Sequence, residues 1–291
     1  MKKKFLYVVN PISGDGDDRE EVSDLLCNSL HDVEFQTWET TGKESDPEQI
    51  REMLNSNAFD GVLVGGGDGT IKMVVQAIKG MGVPVGIIPL GSANGLATDF
   101  GIHGISDACH AIKNGIEKRV DLWDINGELC IHLSDFGFNA GLVRKSSDQE
   151  GRGMLSYAKG YLAQLQEIQS YRFRLLEQGD AREVTAKMLV IANAAKYGTG
   201  ARINPFGDIS DGQFEIIALN PEGIDQIISL SISLFKDNIE ELDFVKSWSF
   251  NELEIENLDG ADFQVDGEVM PQTDKVKITK INEPIVFYAL E

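Results

Sequence analysis

The stretch Phe59-Asp-Gly-Val-Leu-Val-Gly-Gly-Gly-Asp-Gly-Thr-Ile-Lys-Met-Val-Val-Gln-Ala-Ile78 decides the fold. It opens on the aliphatic run Val62–Val64, which is typical of a buried parallel strand. It closes on apolar side chains at positions 71, 74, 75 and 78, the spacing of one face of an amphipathic helix. Four glycines and an aspartate join the two halves, so the stretch predicts a strand, a tight loop and a helix.

The glycines of this loop predict a phosphate site. Gly65, Gly66, Gly67 and Gly69 permit backbone angles that side chains disfavour, and they let a ligand approach the main chain. Backbone N–H groups at the start of the helix, near Thr70, favour an anion. The loop is not a Walker A motif, because no Gly-Lys-Ser/Thr follows, and Thr70 stands where the dinucleotide fingerprint requires a third glycine.

Composition narrows the classes of function. The chain has 291 residues, of which 42% are hydrophobic and 25% charged, enough for one or two globular domains. Its formal net charge of −21 argues against nucleic-acid binding and against electrostatic adhesion to anionic lipid. Any membrane contact would therefore be apolar and local, with help from the lysines at positions 2–4.

The amino-terminal residues are not expected to act as a signal peptide, because the apolar run Phe5–Val9 is short and is followed directly by Asn10-Pro11. No stretch reaches the roughly 18 apolar residues of a membrane span. Three cysteines without C-x-x-C spacing fit a reducing compartment. We expect a cytoplasmic protein whose association with membranes is at most transient and peripheral.

The first part of the chain alternates strands and helices. Besides the opening stretch, the predicted strands are Lys4–Val9, Val33–Trp38 and Val83–Leu90, and the predicted helices are Glu48–Leu54 and Ser106–Lys113. This alternation predicts an α/β fold in which residues 1–119 form a doubly wound parallel-sheet domain.

Residues 120–291 are dominated by short strands and predict a second, β-rich, sandwich-like domain. Its last strand can alternatively belong to the first domain. The predicted strands are Val120–Ile125, Glu128–Phe136, Tyr171–Glu177, Val184–Ala194, Gln213–Leu219, Leu253–Glu256, Asp262–Val265, Val276–Ile281 and Ile285–Leu290. Two helices are predicted, Leu155–Ile168 and Gly223–Glu241. The apolar stripe of the second helix is expected to be core, with the alternative that part of it guides an apolar substrate; it comprises Ile224, Ile227, Ile228, Ile232 and Phe235.

Three loops of small and polar residues follow strands of the first domain: Asn10–Gly14, Gly65–Thr70 and Gly91–Asn94. In open α/β sheets, ligands bind outside the carboxyl ends of the strands. The three loops are therefore expected to converge on one site.

The sequence blocks in these loops carry a family resemblance. Asn10-Pro-Ile-Ser-Gly14, Gly66-Gly-Asp-Gly-Thr70 and Pro89-Leu-Gly-Ser-Ala-Asn94, followed by Asp208-Ile-Ser-Asp-Gly-Gln-Phe214 and Val265-Asp-Gly-Glu268, resemble the diacylglycerol kinase and sphingosine kinase superfamily, which is related to NAD kinases and phosphofructokinases. The resemblance covers almost the whole chain. It implies an ATP- and Mg²⁺-dependent kinase that phosphorylates the hydroxyl of a diacylglycerol-like or sphingoid lipid.

The resemblance also implies the residues of the nucleotide site. They are Asn10, Pro11, Ser13, Gly14, Thr40, Thr41, Gly65, Gly66, Gly67, Gly69, Thr70, Gly91, Ser92 and Asn94. Since the loop has no P-loop lysine, main-chain N–H groups, hydroxyls and Mg²⁺ would hold the triphosphate.

Catalytic roles follow from the same match. Asp68 would orient the metal or its waters, and Glu268 matches the general base that takes the proton of the lipid hydroxyl. Asp266, two residues earlier, is the alternative base. Asp208 and Asp211 match a structural Mg²⁺ site, in which the carbonyl of Gln213 would be a further ligand.

One position departs from the family pattern. Many bacterial diacylglycerol kinases have an aspartate where this chain has Gly95, so an acidic group near the phosphates is missing. This departure leaves the acceptor open between a diacylglycerol-like and a sphingoid alcohol.

Two other functions stay open. The first is an NAD-kinase-like enzyme with a soluble acceptor, although such an enzyme would be expected to show an Asn-Asp pair where Lys72-Met73 stands. The second is a nucleotide-binding regulator without turnover, which intact Asp68 and Glu268 oppose. The expected partners are a lipid alcohol at a membrane surface and no nucleic acid, and a homodimer stays open.

Overall fold

A computed structural model describes residues 2–13, 22, 25–26, 29–91, 94–137, 169–196 and 201–290. Gly14, Ser92 and the predicted helix Leu155–Ile168 lie outside the described residues. The chain divides into two compact units. Unit 1 contains Met1–Leu122 and Asn282–Glu291, and unit 2 contains Trp123–Tyr197 and Ala201–Ile281.

Unit 1 has the predicted alternation of strands and helices. Its elements are β1 (Lys3–Val9), β2 (Val33–Glu39), α1 (Asp46–Ser56), β3 (Gly61–Gly66), α2 (Asp68–Ile78), β4 (Val85–Pro89), α3 (Gly95–Asp99) and α4 (Ile105–Asn114). The following strand, β5 (Ile116–Ile125), and the last strand, β16 (Lys275–Ala289), contribute residues to both units.

The sheet of unit 1 is parallel and has the order β2-β1-β3-β4. The carboxyl-terminal part of β16 adds Phe287 beside Val85 of β4, also in parallel. Strand β3 is buried along its whole length, which explains its uninterrupted aliphatic sequence. From β1 the chain continues to β2 on one side and to β3 on the other, so the order reverses at β1. Such a reversal opens a crevice at the carboxyl ends of the strands.

Unit 2 is built from short strands. Its elements after β5 are β6 (Glu128–Cys130), β7 (Leu133–Gly137), β8 (Tyr171–Glu177), β9 (Asp180–Ala186), β10 (Met188–Ala192), β11 (Phe214–Leu219), α5 (Ile224–Ser233), a 3₁₀ turn (Ile239–Glu241), β12 (Val245–Phe250), β13 (Leu253–Asn257), β14 (Phe263–Val265) and β15 (Glu268–Val269).

The strands of unit 2 form two packed layers. One layer has the order β12-β11-β10-β7-β14-β15, and the other contains the first half of β16 with β13, β8 and β9. Trp123, Phe136, Phe173 and Phe214 are buried in one apolar cluster that contains residues of both layers. The α/β fold with a second, sandwich-like region, as predicted from the sequence, is thereby confirmed.

Several strand boundaries differ from the prediction. The apolar run predicted as one strand over Val184–Ala194 is two strands, because β9 pairs with β8 in one layer while β10 pairs with β7 and β11 in the other. A strand that changes layers keeps its apolar pattern, so periodicity alone does not reveal the break. Strand β12 was not predicted, because its sequence is largely polar and exposed.

The prediction for the apolar stripe of the second helix is wrong for four of its five residues. Helix α5 is shorter than predicted, and of the five residues only Ile227 is buried. The helix packs on the outer face of one layer through Ile227, Leu230 and Leu234. A helix on the outside of a sheet can bury only one side, which leaves the opposite side exposed.

Candidate active site

The loops at the carboxyl ends of β1, β3 and β4 are tied to each other through β3. The backbone N–H of Asn10 donates to the carbonyl of Gly65 over 2.8 Å, and that of Leu90 donates to Gly66 over 3.2 Å. These bonds extend the pairing of the parallel strands into the loops. The predicted convergence of the three loops is therefore a consequence of strand order and register.

A cavity of about 520 Å³ lies outside these strand ends. Seven of the predicted nucleotide-binding residues line it, and they come from four separate segments of unit 1. The seven are Asn10, Ser13, Thr40, Gly67, Gly69, Thr70 and Gly91. Pro11, Thr41, Gly65, Gly66 and Asn94 are not among its lining residues.

At three positions in the loops after β3 and β4, there is no space for a side chain larger than that of glycine. A β-carbon on Gly66 would lie 2.4 Å from the hydroxyl oxygen of Thr70, and one on Gly91 would lie 2.5 Å from the α-carbon of Gly67. A β-carbon on Gly65 would lie 2.6 Å from the hydroxyl of Tyr7, whose burial raises its pKa to about 12. None of these glycines has a positive φ angle. The expected need for unusual backbone angles is wrong, whereas the expected close approach of main chains is observed.

Asn10 shapes the first loop. Its side-chain oxygen accepts the N–H of Ile12 over 3.1 Å, and its carbonyl accepts the N–H of Ser13 over 3.1 Å. Its amide nitrogen lies 3.5 Å from the hydroxyl of Thr70 at the start of α2. The asparagine therefore closes a turn and links that turn to the glycine loop.

Helix α2 begins at the floor of the cavity, with Gly67 as its N-cap residue. The first N–H groups of a helix have no partner within it, and they carry the positive end of the helix dipole. Since Gly67, Gly69 and Thr70 line the cavity, this helix end faces it. The arrangement suits an anionic ligand such as phosphate.

Asp68, the first residue of α2, holds the next helix. One of its carboxylate oxygens accepts the N–H of Gly95 over 2.9 Å, and the other accepts the N–H of Leu96 over 3.1 Å. These two amides belong to the first turn of α3, so the carboxylate caps that helix. Each carboxylate oxygen can accept more than one hydrogen bond, so capping leaves capacity for a further ligand.

The loop before α3 is closed by Asn94. Its side chain accepts the N–H of Gly91 over 2.9 Å and donates to the carbonyl of the same residue over 2.8 Å. Asn94 therefore stabilises the loop through Gly91, and it does not itself line the cavity.

The loop after β2 forms another wall of the cavity. Buried Asp46 accepts the hydroxyl of Thr41 over 2.5 Å and the N–H groups of Thr41 and Gly42 over 2.8 and 3.0 Å. This fixes the loop and engages the hydroxyl of Thr41, whereas neighbouring Thr40 lines the cavity.

Five further lining residues were missed by the sequence prediction: Gly42, Lys43, Glu44, Asp46 and Met73. Lys43 and Glu44 could have been found, because β2 neighbours β1 in the parallel sheet and its loop must end at the same edge. Met73 lies on α2 one turn after the glycine loop, next to the buried side chain of Lys72.

The predicted base and its alternative lie at a hairpin of unit 2. Val265 pairs with Glu268 across Asp266 and Gly267, which have φ angles of 48° and 85°. Positive φ at both central positions is typical of a type I′ turn, for which Asp-Gly is a favoured sequence. The turn places Glu268 at an exposed position.

Asp266 is engaged by the backbone of a different segment. Its carboxylate accepts the N–H groups of Ile131, His132 and Leu133 over 2.8, 2.9 and 3.1 Å. Ile131 and His132 connect β6 to β7, and Leu133 is the first residue of β7. The geometry therefore makes Asp266 a positioning residue for the turn that carries Glu268 and argues against its use as a base.

The predicted metal ligands lie together in one exposed loop of unit 2. Asp208 accepts the hydroxyl and the N–H of Ser210 over 2.6 and 3.0 Å, and Asp211 accepts the N–H of Gln213 over 2.8 Å. Both carboxylates thus stabilise turns of their own loop. In the described part of the chain, no three His, Cys, Asp or Glu side chains are grouped for a metal ion.

Glu215 lies close to this loop. Burial raises the pKa of its carboxyl, and the charge of Asp211 raises it further, while hydrogen bonds from Asn204 and Ser249 oppose the shift. The nitrogen of Asn204 donates over 2.6 Å and the hydroxyl of Ser249 over 3.0 Å.

A second cavity, of about 590 Å³, lies in unit 2. Arg182 stacks over the ring of Trp248 at 5.1 Å along its wall, where Glu183, Glu222 and Asp243 also lie. Although it is larger, no predicted site residue lines it.

Comparison with known proteins places these features in a family. Residues 4–125 match the model of the diacylglycerol kinase catalytic domain, and residues 135–281 match that of the YegS C-terminal NAD kinase beta sandwich-like domain. The chain is 26% identical to a diacylglycerol kinase of Mycobacterium tuberculosis, over 91% of this chain and 88% of the relative. It is 28% identical to a Pseudomonas aeruginosa protein named probable lipid kinase YegS-like, over 80% and 76%. It spans 66% of a longer, uncharacterised Synechocystis protein that is 26% identical over 91% of this chain.

Solved structures agree on the fold. The structure of a diacylglycerol kinase from Bacillus anthracis has a TM-score of 0.71 at 20% identity and covers 99% of this chain and 97% of its own. An NAD kinase from Archaeoglobus fulgidus, solved in complex with ATP, has a TM-score of 0.56 at 15% identity and covers 99% and 94%. At these identities the likeness concerns the fold alone.

The fold and the family matches define the class of the protein, which is a kinase, a phosphotransferase with an alcohol acceptor. More particularly, the chain belongs to the diacylglycerol kinase and YegS superfamily, as its sequence blocks predicted. None of the described helices is long and apolar enough to cross a bilayer.

Proposed function

We propose that the chain is an ATP- and Mg²⁺-dependent lipid kinase, which transfers the γ-phosphate of ATP to the hydroxyl of a diacylglycerol-like lipid. One observation carries the nucleotide part of this proposal: four segments of unit 1 bring seven predicted residues together around one cavity. The names of the family and of the relatives support a lipid acceptor.

The triphosphate would be bound in the cavity by neutral hydrogen-bond donors. The start of α2 supplies N–H groups, and Thr40, Ser13 and Thr70 supply hydroxyls. Such fixed donors stabilise charge without reorganising during the reaction, which is the main requirement of phosphoryl transfer. Lys43 adds one positive charge to a wall that also contains the carboxylates of Glu44 and Asp46.

In the chemical step, the oxygen of the lipid hydroxyl bonds to the γ-phosphorus, and the bond from that phosphorus to the β–γ bridging oxygen breaks. ADP leaves with the electron pair of the broken bond. Glu268 takes the proton of the hydroxyl. An exposed carboxylate beside a type I′ turn suits this role, because a base must be able to reach the proton of the hydroxyl.

Mg²⁺, when bound, would neutralise charge on the β- and γ-phosphate oxygens. Asp68 is the residue of unit 1 that would orient the metal or its waters. Its carboxylate oxygens would use the lone pairs that the two helix-capping hydrogen bonds do not occupy. Asp208, Asp211 and the carbonyl of Gln213 would hold a second, structural ion, because hard oxygen donors suit Mg²⁺.

The glycine at position 95 affects both the choice of lipid acceptor and the set of acidic groups available to the metal. Its N–H donates to Asp68, and it has no side chain to supply the second acid found in many bacterial relatives. The proposal therefore assigns the acidic role near the phosphates to Asp68 alone. A sphingoid alcohol is the alternative acceptor that this departure leaves open.

The test is transfer of labelled γ-phosphate to a panel of diacylglycerol, monoacylglycerol, phosphatidylglycerol, sphingosine, ceramide and NAD, with Mg²⁺ present or chelated. We expect label in the diacylglycerol product, and loss of labelling with chelation. Label in NADP alone would refute the lipid acceptor. Tight ATP binding without transfer to any acceptor would support a nucleotide-binding regulator instead.

A further inference from the structure

Helix α5 exposes a row of large apolar side chains. Ile224, Ile228 and Ile232 are 53%, 48% and 49% exposed, and Phe235, just after the helix, is 66% exposed. Their spacing of four, four and three residues places them on one side of the helix. These four residues are called the apolar face below.

The opposite side of the helix is already packed. Ile227, Leu230 and Leu234 are buried against Val190 and Ile217 of one layer of unit 2. A surface helix normally has one apolar side and one polar side. Here both sides are apolar, so packing on the sheet does not account for the apolar face.

Polar groups beside the apolar face are satisfied within the helix. The hydroxyl of Ser229 donates to the carbonyl of Asp225 over 2.9 Å, and that of Ser231 donates to Ile227 over 2.8 Å. Removing a hydroxyl from water is costly only when its hydrogen bond is lost. These serines therefore lower the cost of placing this side of the helix in an apolar medium.

The helix is also nearly free of charge. Asp225 is the single charged residue between positions 224 and 235, in a chain that is 25% charged and carries a net charge of −21. Such a surface offers no electrostatic attraction to an acidic protein partner or to an anionic bilayer. The negative net charge of the chain repels both.

We propose that the apolar face docks the protein on the uncharged or zwitterionic surface of a lipid bilayer, by inserting its isoleucines and Phe235 below the headgroups. This inference rests on the proposed function, because a diacylglycerol-like acceptor resides in the bilayer. The exposed area of the face is on the order of a few hundred Å², below the roughly 800 Å² per partner of a stable dimer. Partial insertion of one amphipathic helix requires no larger area.

The experiment is flotation of the full chain with phosphatidylcholine vesicles that contain a small fraction of diacylglycerol, without ATP. The double variant Ile228→Ser/Ile232→Ser is expected to bind about 20-fold more weakly, because two half-exposed isoleucines no longer insert. Replacing part of the phosphatidylcholine by phosphatidylglycerol at low salt should weaken binding by the wild type.

The matched control is Ile116→Ser. It removes an isoleucine of almost the same exposure, 54%, from β5 in unit 1. It should bind vesicles like the wild type. Equal binding by the double variant and the wild type, or equal loss in the control, would overturn the proposal, as would a wild-type dimer in sedimentation that the double variant dissociates.

A second assay separates docking from catalysis. With a short-chain diacylglycerol dissolved in water, the double variant should transfer phosphate at the wild-type rate, while its rate on vesicles falls with its binding. A wild type that floats but phosphorylates no lipid refutes the proposed function alone. A wild type that phosphorylates the dissolved lipid but does not float refutes the docking alone.

Discussion

The carboxylate of Asp68, at the start of α2, accepts the N–H of Gly95 over 2.9 Å, at the start of α3. One acid thus links the starts of two helices, of which α2 begins at residues that line the cavity. The same carboxylate is the proposed ligand for the metal or its waters. Its structural and catalytic roles can be separated by measuring stability and turnover independently.

Asp68→Asn is expected to lower kcat by at least about 100-fold, because the amide cannot supply negative charge to the metal. It should lower the free energy of unfolding by only about 1 kcal/mol, since one capping bond is kept. Asp60→Asn is the control. Asp60 accepts the N–H of Lys4 over 2.7 Å at the amino ends of β3 and β1, which is the end of the sheet opposite to the cavity. Full turnover in Asp68→Asn would contradict its role.

Gly66→Ala tests the need for space. A β-carbon there would lie 2.4 Å from the hydroxyl and 2.6 Å from the β-carbon of Thr70, so Thr70 must shift. We expect a loss of about 1–3 kcal/mol in stability and weaker ATP binding. Gly104→Ala is the control, because an added β-carbon at Gly104 has no atom within 4 Å. Calorimetry of ATP binding and urea unfolding would show no difference between the two variants if the cavity wall were adaptable.

Glu268→Gln and Asp266→Asn distinguish a base from a positioning residue. Glu268→Gln should reduce kcat strongly and lower the unfolding midpoint less than Asp266→Asn does, since Glu268 is exposed. Asp266→Asn should lower stability by about 1.5–3 kcal/mol, because three amides lose a charged acceptor. Thermal unfolding and single-turnover transfer rates give both readouts. The reverse pattern would exchange the two roles.

Glu215 gives a pH-dependent prediction. Because its pKa is raised in the folded state, chiefly by burial, its carboxyl binds a proton more tightly there than in the unfolded chain. Its contribution to stability is present at acid pH and is lost as pH rises through the folded pKa. The stability of the wild type relative to Glu215→Gln should therefore fall as pH rises above about 4.3, the ordinary pKa of a glutamic acid side chain. Asp211→Asn should reduce this slope in urea titrations, whereas an unchanged difference across the range would refute the assignment.

The site in unit 1 could be predicted because its parts are local. Each loop follows a strand in sequence, and parallel strands bring their carboxyl ends to one edge. Glycine and asparagine are informative there, since Gly66 and Asn10 each contact residues of the predicted loops.

Other features depend on distant partners, which a single sequence does not show. Asp266 and the amides it binds are more than 130 residues apart. The change of layer between β9 and β10 and the exposed side of α5 depend on which sheet lies next to each element. Apolar periodicity reports that a side chain prefers an apolar neighbour, but not which neighbour is present.

The central claim is that the triphosphate binds at the start of α2, and a crystal structure with a non-hydrolysable ATP analogue and Mg²⁺ tests it most directly. We predict phosphate oxygens within hydrogen-bonding distance of the N–H groups of residues 67–69, inside the cavity lined by Asn10, Thr40 and Gly91. An analogue bound instead in the cavity of Arg182 and Trp248, with the glycine loop free of ligand, would contradict the account.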